Sequence, residues 1–174
     1  NGSNTDPDHL AAEHRGYRRA IESGRIGFAH LIRLWHARNG WSQRILPALA
    51  ESLDLGRIHN SQLSMLRNGK LASPGPEVFL ALGSINLWLA REAPEGRLAP
   101  ARAALLLEGH PELMEALQSS ALPVRDAAGH VLGSGDLLEV FVGLRPEHRR
   151  RGGPGPLRRP GQPAHRRPLL ASVP

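Results

Sequence analysis

A chain of 174 residues and 18.9 kDa suits one domain, or one domain with an appendage, and 40% hydrophobic residues are enough for a core. The absence of cysteine excludes disulfides, thiol nucleophiles and thiolate metal sites. No apolar run approaches the roughly 20 residues that cross a bilayer, and no signal peptide opens the chain, so a soluble cytoplasmic protein without membrane contact is expected.

A net charge of +6 points toward nucleic acid, but its location qualifies the signal. Residues 145–174 hold eight arginines, Arg145 first, against the single acid Glu147, which leaves fourteen basic and fifteen acidic residues in 1–144. The global basicity belongs to the tail.

Residues 1–9 are polar and expected to be disordered. Leu10 to Glu22 reads as a short amphipathic helix that Gly24 would end; 1–24 is therefore set apart as an N-terminal segment. Phe28, Leu31, Ile32 and Trp35 then fall on one face of a helix stopped by Asn39-Gly40. Ser42 is an N-cap candidate for a helix carrying Ile45, Leu46, Leu49, Ala50 and Leu53. Pro47 favours a regular helix from about that residue, with 42–46 as a separate turn. After a loop from Asp54 to His59, Asn60 or Ser61 caps a short helix with Leu63 and Leu66 inside, stopped by Asn68-Gly69. Ser73 to Glu77 is a turn into a helix lined by Val78, Phe79, Leu82 and Ile85 and continued by Trp88 and Leu89.

Residues 91–100 read as a linker. Beyond it, Ala101 to Leu107 and Pro111 to Gln118 look helical. Leu122 to Leu132 reads as a hairpin turning at Asp126 to Gly129. Asp136 and Glu139 have capping-box spacing before Leu137 to Leu144, a segment that suits a helix or, around Val140-Phe141-Val142, a strand. Leu105, Leu106, Leu113, Met114, Leu117 and Phe141 are the candidate core of the unit 87–144. The stretch 87–144 has four basic and eight acidic residues, a poor surface for a polyanion. The tail 145–174, with seven prolines and four glycines, is expected to be disordered. Its arginines would either add electrostatic affinity or form a solvated terminus.

The informative motifs are Leu31-Ile-Arg-Leu-Trp-His-Ala-Arg38, Gly40-Trp-Ser-Gln43, Leu49-Ala-Glu-Ser-Leu53, Leu63-Ser-Met-Leu-Arg-Asn-Gly-Lys70, and Pro76-Glu77 before Leu80 and Leu82. Together, residues 31–82 resemble the helix-turn-helix domain of the Xre/Cro/cI repressor family. The resemblance implies a mainly α, λ-repressor-like domain of four or five helices over 25–90. It also implies dimerisation and sequence-specific binding of double-stranded DNA. The helix 60–68 would enter the major groove, where Asn60, Ser61, Gln62, Ser64 and Arg67 offer groups suited to base edges. Gln43, Asn68 and Lys70 match family positions that hold phosphate. The window 25–86 carries seven basic and three acidic residues, a modest footprint in the right place.

Two features depart from the family. Ser42 and Gly69 lie 27 positions apart, where two short helices and a tight turn need roughly 20. Met65 takes a place commonly given to a base-reading polar residue, and Arg67 replaces an acid that typically pairs with the first helix, so Arg33 and Arg38 would lack that partner. These departures motivate an alternative, a protein-interaction adaptor on a repressor-like scaffold.

Each site residue also has a plainer role. Asn60, Ser61, Gln62 and Ser64 can be caps and solvated surface, Gln43 and Asn68 local caps, and Met65 packing. Trp35, Trp41 and Trp88 are expected in the core or an interface. The nine histidines show no ligand spacing, and no nucleophile, phosphate loop or dinucleotide loop appears. The expectation is therefore a non-enzyme without metal or cofactor. Its regions are a helix-turn-helix domain at 25–90, a linker at 91–100, a small α+β unit at 101–144 suited to a dimer or partner interface, and a basic tail.

Overall fold

Seven helices order the chain in a computed structural model that describes residues 7–70 and 74–145. They are α1 (Pro7–Asn39), α2 (Ile45–Ser52), α3 (Asn60–Arg67), α4 (Pro76–Glu92), α5 (Pro100–Leu106), α6 (Pro111–Ser119) and α7 (Ser134–Phe141). The protein is mainly α, and among the described residues the only β pairing is an isolated antiparallel bridge between Arg125 and Val131. No described helix is long and apolar enough to cross a membrane. Residues 146–174, the bulk of the expected disordered tail, lie outside the described residues, as do 1–6 and 71–73.

Helix α1 corrects the expectation of disorder up to His9 and of a stop at Gly24. It runs unbroken from Pro7 and contains both Gly16 and Gly24. Gly24 is a contact, not a terminator. A methyl group there would collide with the Phe141 carbonyl and the Gly143 amide. On α4, Gly83 plays the same part for the other end of α7, because a Cβ would strike the Ser134 backbone and hydroxyl. Helix α7 thus lies in two notches, one on α1 and one on α4.

The aromatic centre follows from that seating. Phe28 of α1, Phe79 of α4 and Phe141 of α7 meet with ring centroids 5.4–5.7 Å apart, two of the three pairs edge to face. The Arg25 guanidinium stands 5.8 Å from the Phe141 centroid. One buried cluster extends from Phe28 through Leu49, Leu66 and Leu89 to Leu117 and Phe141. All three tryptophans are buried, as expected. Leu105 is not a core residue; it is 67% exposed on the outer side of α5, while Leu106 and Met114 are half-buried.

Four helix ends share one device. After α1, α2, α3 and α7 the chain turns through a left-handed residue, Gly40, Asp54, Gly69 and Gly143 respectively. In each case the amide one residue further returns to the last turn: Trp41 to His36, Leu55 to Ala50, Lys70 to Met65, and Leu144 to Glu139, at 2.8–3.1 Å. The Asn-Gly stops expected at 39–40 and 68–69 are two of these four.

Helix starts differ in detail from expectation. Helix α2 begins at Ile45, two residues before Pro47, with Arg44 in the capping position. Ser42 sits further out and accepts the Arg44 amide at 3.3 Å. Helix α3 is preceded by His59, so Asn60 is its first residue. Helix α7 starts after Gly133, and Asp136 reaches back to accept that glycine's amide at 2.8 Å. Asp136 therefore occupies the third helical position, not the cap.

Leu122 to Leu132 turns back over Asp126 to Gly129 as expected, with the Leu132 amide on the Val124 carbonyl at 3.2 Å and the Asp126 amide on the His130 carbonyl at 2.8 Å. The pairing stops at one bridge, however, and two buried asparagines hold its remaining groups. Asn86 of α4 donates to the carbonyls of Val124 and Leu132 and accepts the Val124 amide, at 2.8–2.9 Å. Asn39 binds the Leu122 amide and carbonyl and the Ser120 hydroxyl, while Trp35 and Trp41 donate to the carbonyls of Leu122 and Ser120. Side chains of α1 and α4 thus satisfy backbone groups that a neighbouring strand would otherwise pair. Arg145, expected in the tail, closes the turn by pairing with Asp136 at 2.6 Å and Asp126 at 3.3 Å.

Candidate nucleic-acid interface

Helix α3 rests on α1, with Leu63 and Leu66 fully buried. A polar bond fixes its far end. Arg33 of α1 donates to the Arg67 carbonyl at 2.6 Å. A cation at a helix C-terminus is favourably placed against the dipole and the unpaired carbonyls there. The expectation that Arg33 lacks a partner without an acid at 67 is thereby corrected, since the main chain substitutes for the carboxylate.

The opposite side of α3 is open. Asn60, Ser61, Met65, Asn68 and Lys70 are exposed, and Gln62, Ser64 and Arg67 are half-exposed. Eight of the nine residues singled out by sequence therefore lie on or just beyond one short helix with an accessible flank, Arg67 being drawn toward α1. Asn68 has a local task as well, because its amide donates to the Ser64 carbonyl at 2.9 Å. Gln43 is apart, half-buried in the turn before α2. Met65, 42% exposed, does not fill the core.

The extra residues between Ser42 and Gly69 form a packed loop. Leu53 and Leu55 lie against the core, Ile58 is buried, and Gly56 passes over Ala81. The loop carries α3 away from α2, which packs instead on α4 and α6. Between them opens a groove of about 570 Å³ lined by Arg44, Ala48, Glu51, Asp54, Arg57, His59 and Asn60 among others. Arg57 and His59 are exposed beside the start of α3 and were not singled out by sequence; their position directly before the helix was the available signal. Glu51 and Asp54 give the α2 wall acidic groups, and Arg44 is engaged with Glu112 at 2.7 Å. The cationic flanks of α3 are accordingly Arg57 at one end and Lys70 at the other, with the His59 imidazole beside Arg57.

Behind α3, His36 is 5% exposed. Its Nδ1 lies 2.8 Å from the Ile32 carbonyl, which makes that nitrogen the donor and leaves Nε2 as an acceptor with no partner among the described residues. Burial is the main force holding its pKa below the ordinary value. The Ile32 bond opposes that shift and the nearby Arg67 charge adds to it. Among the described residues, no three His, Asp or Glu side chains group as a metal ion would require.

A family model described as a domain of unknown function, DUF8644, matches residues 18–143. No curated protein and no solved structure matches the chain.

Proposed function

The chain belongs to this family of unknown function, and we propose that it is a transcriptional regulator that binds double-stranded DNA in a sequence-specific manner. On this reading the helices follow a λ-repressor-like plan, and α3 enters the major groove. One observation carries the reading: α3 is pinned to α1 by Leu63, Leu66 and the Arg33–Arg67 bond, and turns Asn60, Ser61 and Met65 outward. A rigidly based helix with small polar residues on its free face fits the groove, where amides and hydroxyls meet distinct donor and acceptor patterns. Arg57, His59 and Lys70 supply phosphate anchors on either side. The acidic wall of α2 keeps the duplex on α3 and away from the groove floor.

Selection from random duplex DNA by residues 1–146, which keep all the described residues and omit most tail arginines, tests the proposal. Enrichment of a defined motif at moderate salt is the expected result. A folded sample that enriches nothing would sink it.

The exposed Met65 on α3 favours a second reading, an adaptor that docks a protein segment on the outer face of that helix. A loss of partner binding on Met65→Lys, with no DNA motif found, would select that reading.

A further inference from the structure

Helix α3 rests along one stripe of α1. Gly69, just past its end, lies over Arg25 and Ala29, and the Arg67 carbonyl takes the bond from Arg33. The next position of that stripe is His36, three residues beyond Arg33. Its imidazole is buried, and Nε2 has no partner among the described residues. The Nε of Arg67 is buried and unpartnered in the same way. Charge around this joint has one sign. From Ser23 to Ala50 and from Leu55 to Pro76 the chain has no Asp or Glu. Helix α1 brings Arg33, and α3 brings Arg67, whose charge acts on the imidazole, with His59 and Lys70 at its two ends. The turn after α1 offers Trp41, whose amide binds the His36 carbonyl, and Arg44, which is engaged with Glu112. Residues 120–124, bonded to Trp35, Asn39 and Trp41, are uncharged. The acids of α7, Asp136 and Glu139, are held by Arg145. That helix meets α1 at Gly24 and Phe28, about 12 Å along the axis from His36.

We propose that His36 is a proton-operated latch for α3: the neutral imidazole lets the helix sit on α1, and the imidazolium drives it off. Neutral His36 keeps its proton on Nδ1, bonded to the Ile32 carbonyl at 2.8 Å. A second proton goes to Nε2 and makes it a buried donor beside a guanidinium, with no carboxylate to receive it. Lifting α3 admits water to Nε2 and separates the two cations, so the open state takes up the proton more readily. Helix α3 is the element suited to move. It is eight residues long, and Leu63, Leu66 and the Arg33–Arg67 bond are what tie it to α1. With an ordinary imidazole in the open state, the opening equilibrium rises about tenfold from pH 7.5 to 5.5. The latch stands whether α3 reads DNA or docks a protein, and acid weakens either.

Hydrogen exchange of the full chain, followed residue by residue by NMR, tests the proposal. Protection of the bonded amides of Leu63, Asn68, Gly69 and Lys70, corrected for intrinsic rates, should fall about tenfold from pH 7.5 to 5.5. Their exchange should be nearly indifferent to low urea, whereas the Ile85 and Leu89 amides of α4 should follow global unfolding with its full urea slope. His36→Gln should abolish the pH dependence at α3. The wild-type ring gives a readout that needs no variant: its nitrogen shifts should report the Nδ1–H tautomer, with no protonation at the ordinary histidine value. A common urea slope for α3 and α4, protection that does not fall with pH, a fall that persists in His36→Gln, or a ring that protonates at its ordinary value would overturn the proposal.

Discussion

Asn86 and Val124 bond each other as paired strand residues do, the side-chain amide accepting the Val124 N–H and donating to its C=O, both at 2.8 Å. Asn86 is fully buried, and its remaining N–H holds Leu132 at 2.9 Å. Replacing it leaves the Val124 N–H and the Leu132 C=O without partners in a dry site, while the Val124 C=O keeps only the Leu132 N–H at 3.2 Å. Asn86→Ala should lower stability by about 3 kcal/mol in urea titration, since each orphaned group carries a desolvation cost. Exposed Asn60→Ala should change it by less than about 0.5 kcal/mol.

Gly16 and Gly24 of α1 and Gly83 of α4 separate by what lies over them. Gly24→Ala and Gly83→Ala each drive a methyl group into α7 backbone and should cost roughly 1–3 kcal/mol. Gly16 has open space around it, so Gly16→Ala should raise helicity by circular dichroism without lowering the melting temperature, in keeping with a helix-propensity gain of about 1 kcal/mol. Equal losses at all three positions would contradict the seating of α7.

His36 predicts acid sensitivity. Its folded pKa lies below the ordinary histidine value, so the unfolded chain takes up the proton first. The stabilising effect of keeping it neutral is complete above that ordinary value and is lost as pH falls through and below it. Asp126 adds a second loss at lower pH. Burial opposes its ionisation, but the His130 and Ala128 amides, His130 and Arg145 hold its pKa below the usual carboxylate range. Urea midpoints should therefore fall between pH 7 and 5, and His36→Gln should flatten that slope while Asp126→Asn leaves it.

If α3 reads DNA, its residues divide by task. Gln62→Ala should relax the preferred motif at one position at a cost of about 1–3 kcal/mol. Lys70→Ala should weaken all sequences alike and reduce the salt dependence by about one unit. Arg33→Gln touches no DNA in this arrangement but frees the α3 C-terminus, so it should lower affinity while preserving the motif. Affinity measured at several salt concentrations resolves the three.

Much of the helical plan was legible, because periodic apolar residues and Asn-Gly stops report local physics. Asn39-Gly40, Asn68-Gly69 and the run from Val78 to Leu89 needed no tertiary knowledge. The failures came where a residue's role is set by a distant neighbour. Gly24 has the sequence look of a stop, and only Phe141 and Gly143 reveal it as a close approach. The segment 122–132 does turn back over Asp126 to Gly129, but it forms a single bridge, and only Asn39 and Asn86 reveal what holds its outer backbone groups. Of the candidate site, the polar run on α3 could be read directly. Arg33 at its C-terminus could not, because the acceptor is a carbonyl that every residue possesses.

The seating of α7 also governs when the molecule can exist. Phe28 finds Phe141 only after nearly all the described chain has been synthesised, and closing so long a loop must precede the reward of packing. Until α7 arrives, a nascent polypeptide holds Phe28 and Phe79 without their third ring, beside two vacant glycine notches. A ribosome-stalled intermediate ending before Ser134 should therefore be protease-sensitive and bound by chaperones. Even α3, complete long before, would acquire a firm foundation only once α7 has been made and seated.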